Sequence, residues 1–278
     1  MTHLTHSVVA EILVALVFLA FGAFVYANAA AHLVKHGGSV KVSSFQLPEG
    51  LVAFVLASYF ALIIYASTAQ RGTAPDSVTI KDLIVGSLAF VVFAGGVAAF
   101  LKLVRKTSLI ELFGLKKQSV LKIAGWAVCL LAAGLPIIRL ASYLTQLTLP
   151  KDELSEQSVV MLFRDINARG DFTSLAEFAV ATIIIAPLCE EFLFRGFFYG
   201  VGKRFLGPIP AGLLSAFFFA ASHSNLTSLA PLFILALCFT VAYERTGSLL
   251  VPMGMHALFN TLNLFVIYSQ AHGWIHAE

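Results

Sequence analysis

Charge is what this chain has least of: Asp, Glu, Lys and Arg together make up 12% of its 278 residues. That scarcity excludes a soluble globular usage and leaves no room for a sizeable soluble domain. The net charge of +3 is small and dispersed. With no basic stripe to track phosphates, nucleic acid is excluded as a partner. Cysteine is also scarce, and Cys129, Cys189 and Cys238 show neither CxxC spacing nor a secreted framework. They read as buried hydrophobes with free thiols. A nucleophilic role for Cys189 is disfavoured, because lipid suppresses its thiolate. No lysine or arginine precedes the first apolar run, and no small-residue cleavage site follows it. A removable signal peptide is therefore not expected, and the run is read as a permanent span. There is no HExxH motif and no internal repeat of 20 to 50 residues.

What remains is hydrophobic: 59% of residues, at a mean hydropathy of +0.88. At roughly 20 residues per crossing, the length predicts an all-α polytopic membrane protein, a bundle of about eight transmembrane helices. The expected spans are Val8–Leu33, Leu51–Gln70, Leu83–Val104, Ile123–Leu144, Leu175–Phe198, Ala211–Ser222, Leu226–Tyr243 and Leu249–Tyr268. Gly95-Gly96 offers a close-packing or kinking site in the third span. Arg71–Asp82, with Gly72, Pro75 and Asp76, reads as a turn-rich connector. Arg105–Lys122 interleaves basic and apolar residues, as expected of a membrane-surface segment or a plain basic loop. Pro150–Ser174 is the longest polar stretch, read as a loop with a short amphipathic helix that serves as a connector or, in the alternative, as a lid over the site. Residues 1–122 form an N-terminal transmembrane region of unassigned role, and residues 123–270 a second membrane domain with its motif-bearing core at 175–264.

Twelve of the eighteen Lys and Arg residues fall on the side of the odd-numbered loops. By the positive-inside rule those loops are cytoplasmic, both termini are outside, and the loop at Lys203 is inside. Glu190 then lies 13 residues from Lys203, or about 20 Å deep, with His223 at a similar depth and His256 about 12 Å in. Three helices thus bring polar groups to overlapping depths.

The stretch Ala186–Gly200 carries Glu190, Glu191 and Arg195 inside an apolar run. An ionisable group there costs roughly 2.5 to 3.5 kcal/mol even on the lenient insertion scale, so each must be paired, hydrated or catalytic. Glu191 and Arg195 are four apart and can neutralise each other. Glu190 points about 100° away around the helix and is the carboxylate left over. Of eight histidines, only His223 and His256 lie deep in spans, the second with Asn260 one turn on. Glu11, Glu177 and Arg139 are read as snorkelling span-end residues. The phenylalanines around Glu190, and Phe217-Phe218-Phe219, are read as packing or lipid-facing.

Glu190-Glu191-x-x-x-Arg195, Phe219-x-x-x-His223 and His256-x-x-x-Asn260, in this order, resemble the three motifs of the CAAX-protease and bacteriocin-processing (CPBP, or Abi) family of intramembrane proteases. Tyr243-Glu-Arg-Thr-Gly-Ser248 is similar to that family as well. The resemblance implies a multi-pass protein of the bacterial cytoplasmic membrane that hydrolyses a peptide bond of a membrane-embedded or lipidated substrate. Glu190 with His223 would hold and deprotonate a water, and His256 with Asn260 would offer N–H donors to the oxyanion, with Glu191 and Arg195 in support. No cofactor is expected. The family's nominal metalloprotease label keeps one alternative open, zinc held by Glu190, Glu191, His223 and His256, although Asn260 is a poor zinc ligand. A silent scaffold or bacteriocin-immunity protein, or a proton-relaying transporter, is a second alternative, and a relay needs acids spread through the bilayer rather than clustered.

Overall fold

A computed structural model describes residues 2–69 and 78–275 of the chain. Most of the Arg71–Asp82 connector lies outside the described residues. Among these residues all regular structure is helical: α1 (Thr2–His36), α2 (Leu47–Ala69), α3 (Ile80–Ala99, continued by a π-helical turn, Phe100–Val104), α4 (Leu109–Leu112), α5 (Val120–Thr148) and α6 (Ser158–Arg169). One continuous helix, Phe172–Leu206, comes next. It comprises α7 (Phe172–Ala179), α8 (Ala186–Glu191) and α9 (Tyr199–Leu206), joined by π-helical segments Val180–Ile185 and Phe192–Phe198. The chain closes with α10 (Pro208–Ala221), α11 (Leu226–Thr246) and α12 (Leu250–Ala271).

Seven helices are long and apolar enough to cross a membrane, and α10 is a shorter apolar one. The expected bundle of about eight is thus seven full-length spans and one of 14 residues. The short one starts at Pro208, where the missing N–H costs nothing at a first turn, and ends in a tight turn in which Ser224 takes a positive φ. Asn225 caps the returning α11 by accepting from the Ser228 N–H.

Polar contacts gather the connections expected on one side of the membrane at one end of the bundle. Lys203 donates to the Val40 carbonyl and pairs with the buried Glu244, which also accepts from the Tyr199 hydroxyl and the Val40 N–H. Arg105 pairs with Glu49, the Leu249 N–H donates to the Phe113 carbonyl, and Gln118 donates to the Thr246 carbonyl. A buried ion pair of this kind is stabilising only because its remaining lone pairs and protons are also bonded. At the opposite end, Asn225 donates to the carbonyls of Ser155 and Glu156, and the Ser155 N–H donates to Thr227 Oγ1.

The N-terminal segment packs directly on α5. Tyr26 of α1 donates to the Leu130 carbonyl of α5. Gly22 lets the same helices meet so closely that a Cβ there would overlap the Ala133 carbonyl oxygen. Gly95 and Gly96, by contrast, face open space, so the expected close-packing site is absent, and the regular helix gives way to a π turn four residues later. In Arg105–Lys122, Phe113 is buried edge-on to Phe192, while Ile110, Val120 and Leu121 are exposed.

Sidedness is open to direct measurement. In a background lacking Cys129, Cys189 and Cys238, a cysteine at exposed Lys116 should be shielded from an impermeant thiol reagent in intact cells, and one at exposed Lys151 should be labelled. The reverse pattern would invert the orientation.

Candidate active site

The site is built around the interrupted helix Phe172–Leu206, and Pro187 explains the first interruption. In the π segment the Ala186 N–H bonds back five residues, to the Ala181 carbonyl. The corresponding donor for the Thr182 carbonyl would be residue 187, but proline has no N–H. That carbonyl instead accepts from Asn260 Nδ2 of α12, at 2.8 Å. A second π segment follows Glu191, where the Phe194 carbonyl accepts both the Tyr199 N–H and the Ser215 hydroxyl of α10, the latter at 2.7 Å. Single π turns inside α-helices recur at functional sites. Here two of them bracket the two glutamates.

Glu191 and Arg195 are fully buried, with Nη1 to Oε1 at 2.9 Å. The guanidinium also lies 4.3 Å from the centroid of Phe219 and 5.1 Å from that of Phe239, so ring faces take up positive charge that no second carboxylate meets. The same Glu191 oxygen is 3.0 Å from Nδ1 of His256. A carboxylate accepts only, so Nδ1 carries the proton, and Nε2 is turned the other way. There it lies 4.0 Å from Oε2 of Glu190. His256 is further held by near-parallel stacking on Phe239, with centroids 5.2 Å apart.

Glu190 lines a cavity of about 580 Å³ together with His223, His256, Asn260, Phe219 and Thr182. Its Oε2 has no hydrogen-bond partner although it is shielded from solvent. In His223, Nδ1 is 2.8 Å from the Phe219 carbonyl, an acceptor, so this ring too carries its proton on Nδ1 and has Nε2 free. The arrangement offers one free carboxylate and two imidazole Nε2 atoms on a shared cavity, enough to position and deprotonate a water.

Of the residues expected at the site, Glu190, His223, His256 and Asn260 share the cavity, and Glu191 and Arg195 form the pair behind it. Glu191 does more than neutralise Arg195, because it also fixes the tautomer of His256. Asn260 has one amide N–H committed to Thr182. Among the described residues no group of three or more His, Cys, Asp and Glu side chains is arranged to hold a metal ion.

Sequence reasoning missed several contributors. Phe219 is buried, receives the His223 N–H on its carbonyl and faces Arg195 with its ring, so it is more than packing, while Phe217 is exposed as expected. Ser155, Glu156 and Gln157 line the cavity, which makes the polar stretch after α5 part of its wall and not a mere connector. For Thr182 the signal was present: a proline three residues before Glu190 leaves a carbonyl bare one turn upstream. Nothing in the sequence marked Ser155.

Residues 172–262 match the family described as Type II CAAX prenyl endopeptidase Rce1-like. An uncharacterised 24.3 kDa protein of Escherichia coli is 42% identical over 86 residues, which cover 29% of this chain and 40% of that protein. The putative membrane peptidase YdiL of Bacillus subtilis is 30% identical over 91 residues, 33% of this chain and 36% of the relative. The membrane-embedded CAAX protease MroQ of Staphylococcus aureus is 34% identical over 83 residues, 28% and 34% of the two chains. The chain spans two fifths or less of the length of these curated relatives. No solved structure matches. The resemblance seen in the three motifs is therefore borne out for the segment that carries them.

The Pro187–Thr182–Asn260 arrangement predicts a specific coupling. Asn260→Ala should strip the Thr182 carbonyl of its donor and cost about 1 to 3 kcal/mol of stability. In a Pro187→Ala background, where an N–H becomes available, the same substitution should cost less, as read by thermal unfolding of all four proteins. Equal costs in both backgrounds would show that Asn260 does not compensate for the proline.

Proposed function

We propose that the protein is an intramembrane endopeptidase that hydrolyses a peptide bond of a membrane-associated protein or peptide with a Glu- and His-activated water. The observation that carries this reading is the buried chain Arg195–Glu191–His256, which turns Nε2 of His256 to within 4.0 Å of an otherwise unbonded Glu190 oxygen on a cavity wall shared with His223. Glu190 and the free Nε2 of His223 hold the water, and Glu190 accepts its proton as the oxygen attacks the amide carbonyl. Glu190, Glu191 and Arg195 together carry one net negative charge, which an imidazolium at His256 cancels. In that form Nε2 of His256 donates to the oxyanion, helped by the Asn260 N–H that Thr182 does not take. Glu190 then passes its proton to the leaving amine. The names of two relatives, a CAAX protease and a putative membrane peptidase, support peptide hydrolysis, and a substrate that is membrane-embedded or lipidated suits a cavity lined within a bundle of spans.

The zinc reading asks Glu191 to be a ligand while its Oε1 is already shared by Arg195 and His256. We therefore favour water activation by side chains alone.

Glu190→Gln, His223→Ala and His256→Ala should each abolish hydrolysis of a membrane peptide, the first two with thermal unfolding near that of the parent and the third with a loss of stability as well, since His256 is buried between Glu191 and Phe239. Turnover by Glu190→Gln would remove it as the base. Glu191→Gln should instead lower both stability and activity, since the buried guanidinium and His256 lose their shared partner. Metal analysis of the purified active protein, with chelation and zinc rescue, separates the mechanisms: stoichiometric zinc lost and regained with activity would move these residues into a ligand shell. Full biological function of Glu190→Ala and His223→Ala variants in cells would favour the scaffold reading.

A further inference from the structure

The residues of α5 that line the cavity, Leu135, Ile138, Arg139 and Ser142, follow one another at helical spacing and form a single stripe with one charge in it. Among the described residues Arg139 is the only Lys or Arg on the cavity wall. It has no hydrogen bond or ion pair among the described residues. The two acids on the same wall form no ion pair with it: Glu156 is paired with Arg164 at 3.2 Å, and Glu190 Oε2 has no partner. The register of the helices separates Arg139 from His256. Helices α5 and α12 start at the same end and run side by side, with Gly254 against Ala127. Arg139 is twelve residues beyond Ala127 and His256 two beyond Gly254, so the Arg139 backbone sits about 15 Å farther along than His256. Arg139 is exposed, and an unpaired guanidinium that faces a cavity within a bundle of spans marks a ligand contact.

We infer that Arg139 is the anion-binding group of this cavity and takes a carboxylate of the peptide substrate several residues from the bond that is cut. This rests on the endopeptidase reading above. The guanidinium fork matches a carboxylate in two parallel hydrogen bonds. Between Arg139 and the His256–Glu190 end the wall is mixed, with Leu135, Leu235 and Phe259 beside Asn260 and Asn263, and suits both the side chains and the backbone of an intervening peptide. The cavity of about 580 Å³ has room for a few residues. An extended chain advances about 3.3 Å per residue, so 15 Å corresponds to four or five residues. The reach of the arginine side chain widens the expected window to about three to six residues.

The test uses the full-length protein in detergent and a set of peptides of one sequence. A single Asp is moved one residue at a time on either side of the cut bond. Further peptides carry their sole carboxylate at the C-terminus, or are amidated and carry none. The lowest KM is expected with the carboxylate within that window on one side. Arg139→Gln should raise that KM by about tenfold or more, with kcat little changed and the carboxylate-free peptide unaffected. Arg139→Lys should recover part of the loss. An equal effect of Arg139→Gln on every peptide, or no effect on any, overturns the inference while leaving the peptidase reading intact. If anionic vesicles, and not the peptide carboxylate, produce the Arg139-dependent response, the anion is a lipid headgroup and the inference fails in its peptide form. Should no peptide be cut by the parent protein, the peptidase reading fails instead. Photo-crosslinking of the same peptides to Glu190→Gln then reads the role of Arg139 without hydrolysis, and retention of all peptides by Glu190→Gln/Arg139→Gln would overturn it.

Discussion

The structure depends on a guanidinium with no access to solvent. Arg195 is fully buried inside a membrane-spanning helix, and the cost of removing such a charge from water has to be met by its surroundings. They come from four sequence-distant places: Glu191 one turn earlier, the ring faces of Phe219 on α10 and Phe239 on α11, and His256 on α12 at the far side of the shared carboxylate. Satisfying one charge therefore sets the mutual positions of four helical segments. The His256 ring is clamped by the same construction, between Glu191 and Phe239. Rigidity of the site and satisfaction of the buried charge are one requirement.

The second constraint is the backbone of the helix that carries the glutamates. A π segment rotates the downstream residues relative to a regular helix. At each one a neighbouring helix donates to a carbonyl: Asn260 to Thr182, which Pro187 leaves without its backbone donor, and Ser215 to Phe194, beside the Tyr199 N–H. Each bond locks the helix at the point where its register changes, just before and just after the Glu190-Glu191 pair. Asn260 thus has a structural task at one N–H, and its other N–H remains for the chemistry proposed here.

How much of this could be read in advance depends on the range of the interactions. The spans, the Glu191–Arg195 pair and the separation of Glu190 from it are local consequences of hydropathy and helical spacing, and they were legible to within a few residues at span ends. The assembly of Glu190, His223, His256 and Asn260 was legible as overlapping depth. Depth carries no rotation, so the Glu191–His256 contact was not foreseen: it depends on how α12 turns toward α8 once two π segments have altered the register. Ser155–Gln157 on the cavity wall were missed for the same reason, since polar loop composition says nothing of what the loop covers. Arg139 is exposed near a span end, as the snorkelling reading has it, and the stripe of α5 adds that it shares the cavity wall with Leu135 and Ile138.

The two ends of the bundle differ in a way that bears on access. The end holding Lys203, Glu244 and Tyr199 is closed by buried polar bonds among α9, α11 and the chain after α1, and by Phe113 packed against Phe192. The cavity instead extends toward Ser155, Gln157 and Thr227, at the end where the chain after α5 is tied to the α10–α11 turn by a few exposed hydrogen bonds. Exposed hydrogen bonds of this sort open at far lower free energy than a buried network. The end opposite Lys203 is therefore the easier of the two to open. For the peptidase proposed above, the side of the membrane that this end faces decides which pool of peptides reaches the site, so that orientation and substrate class become a single physical question.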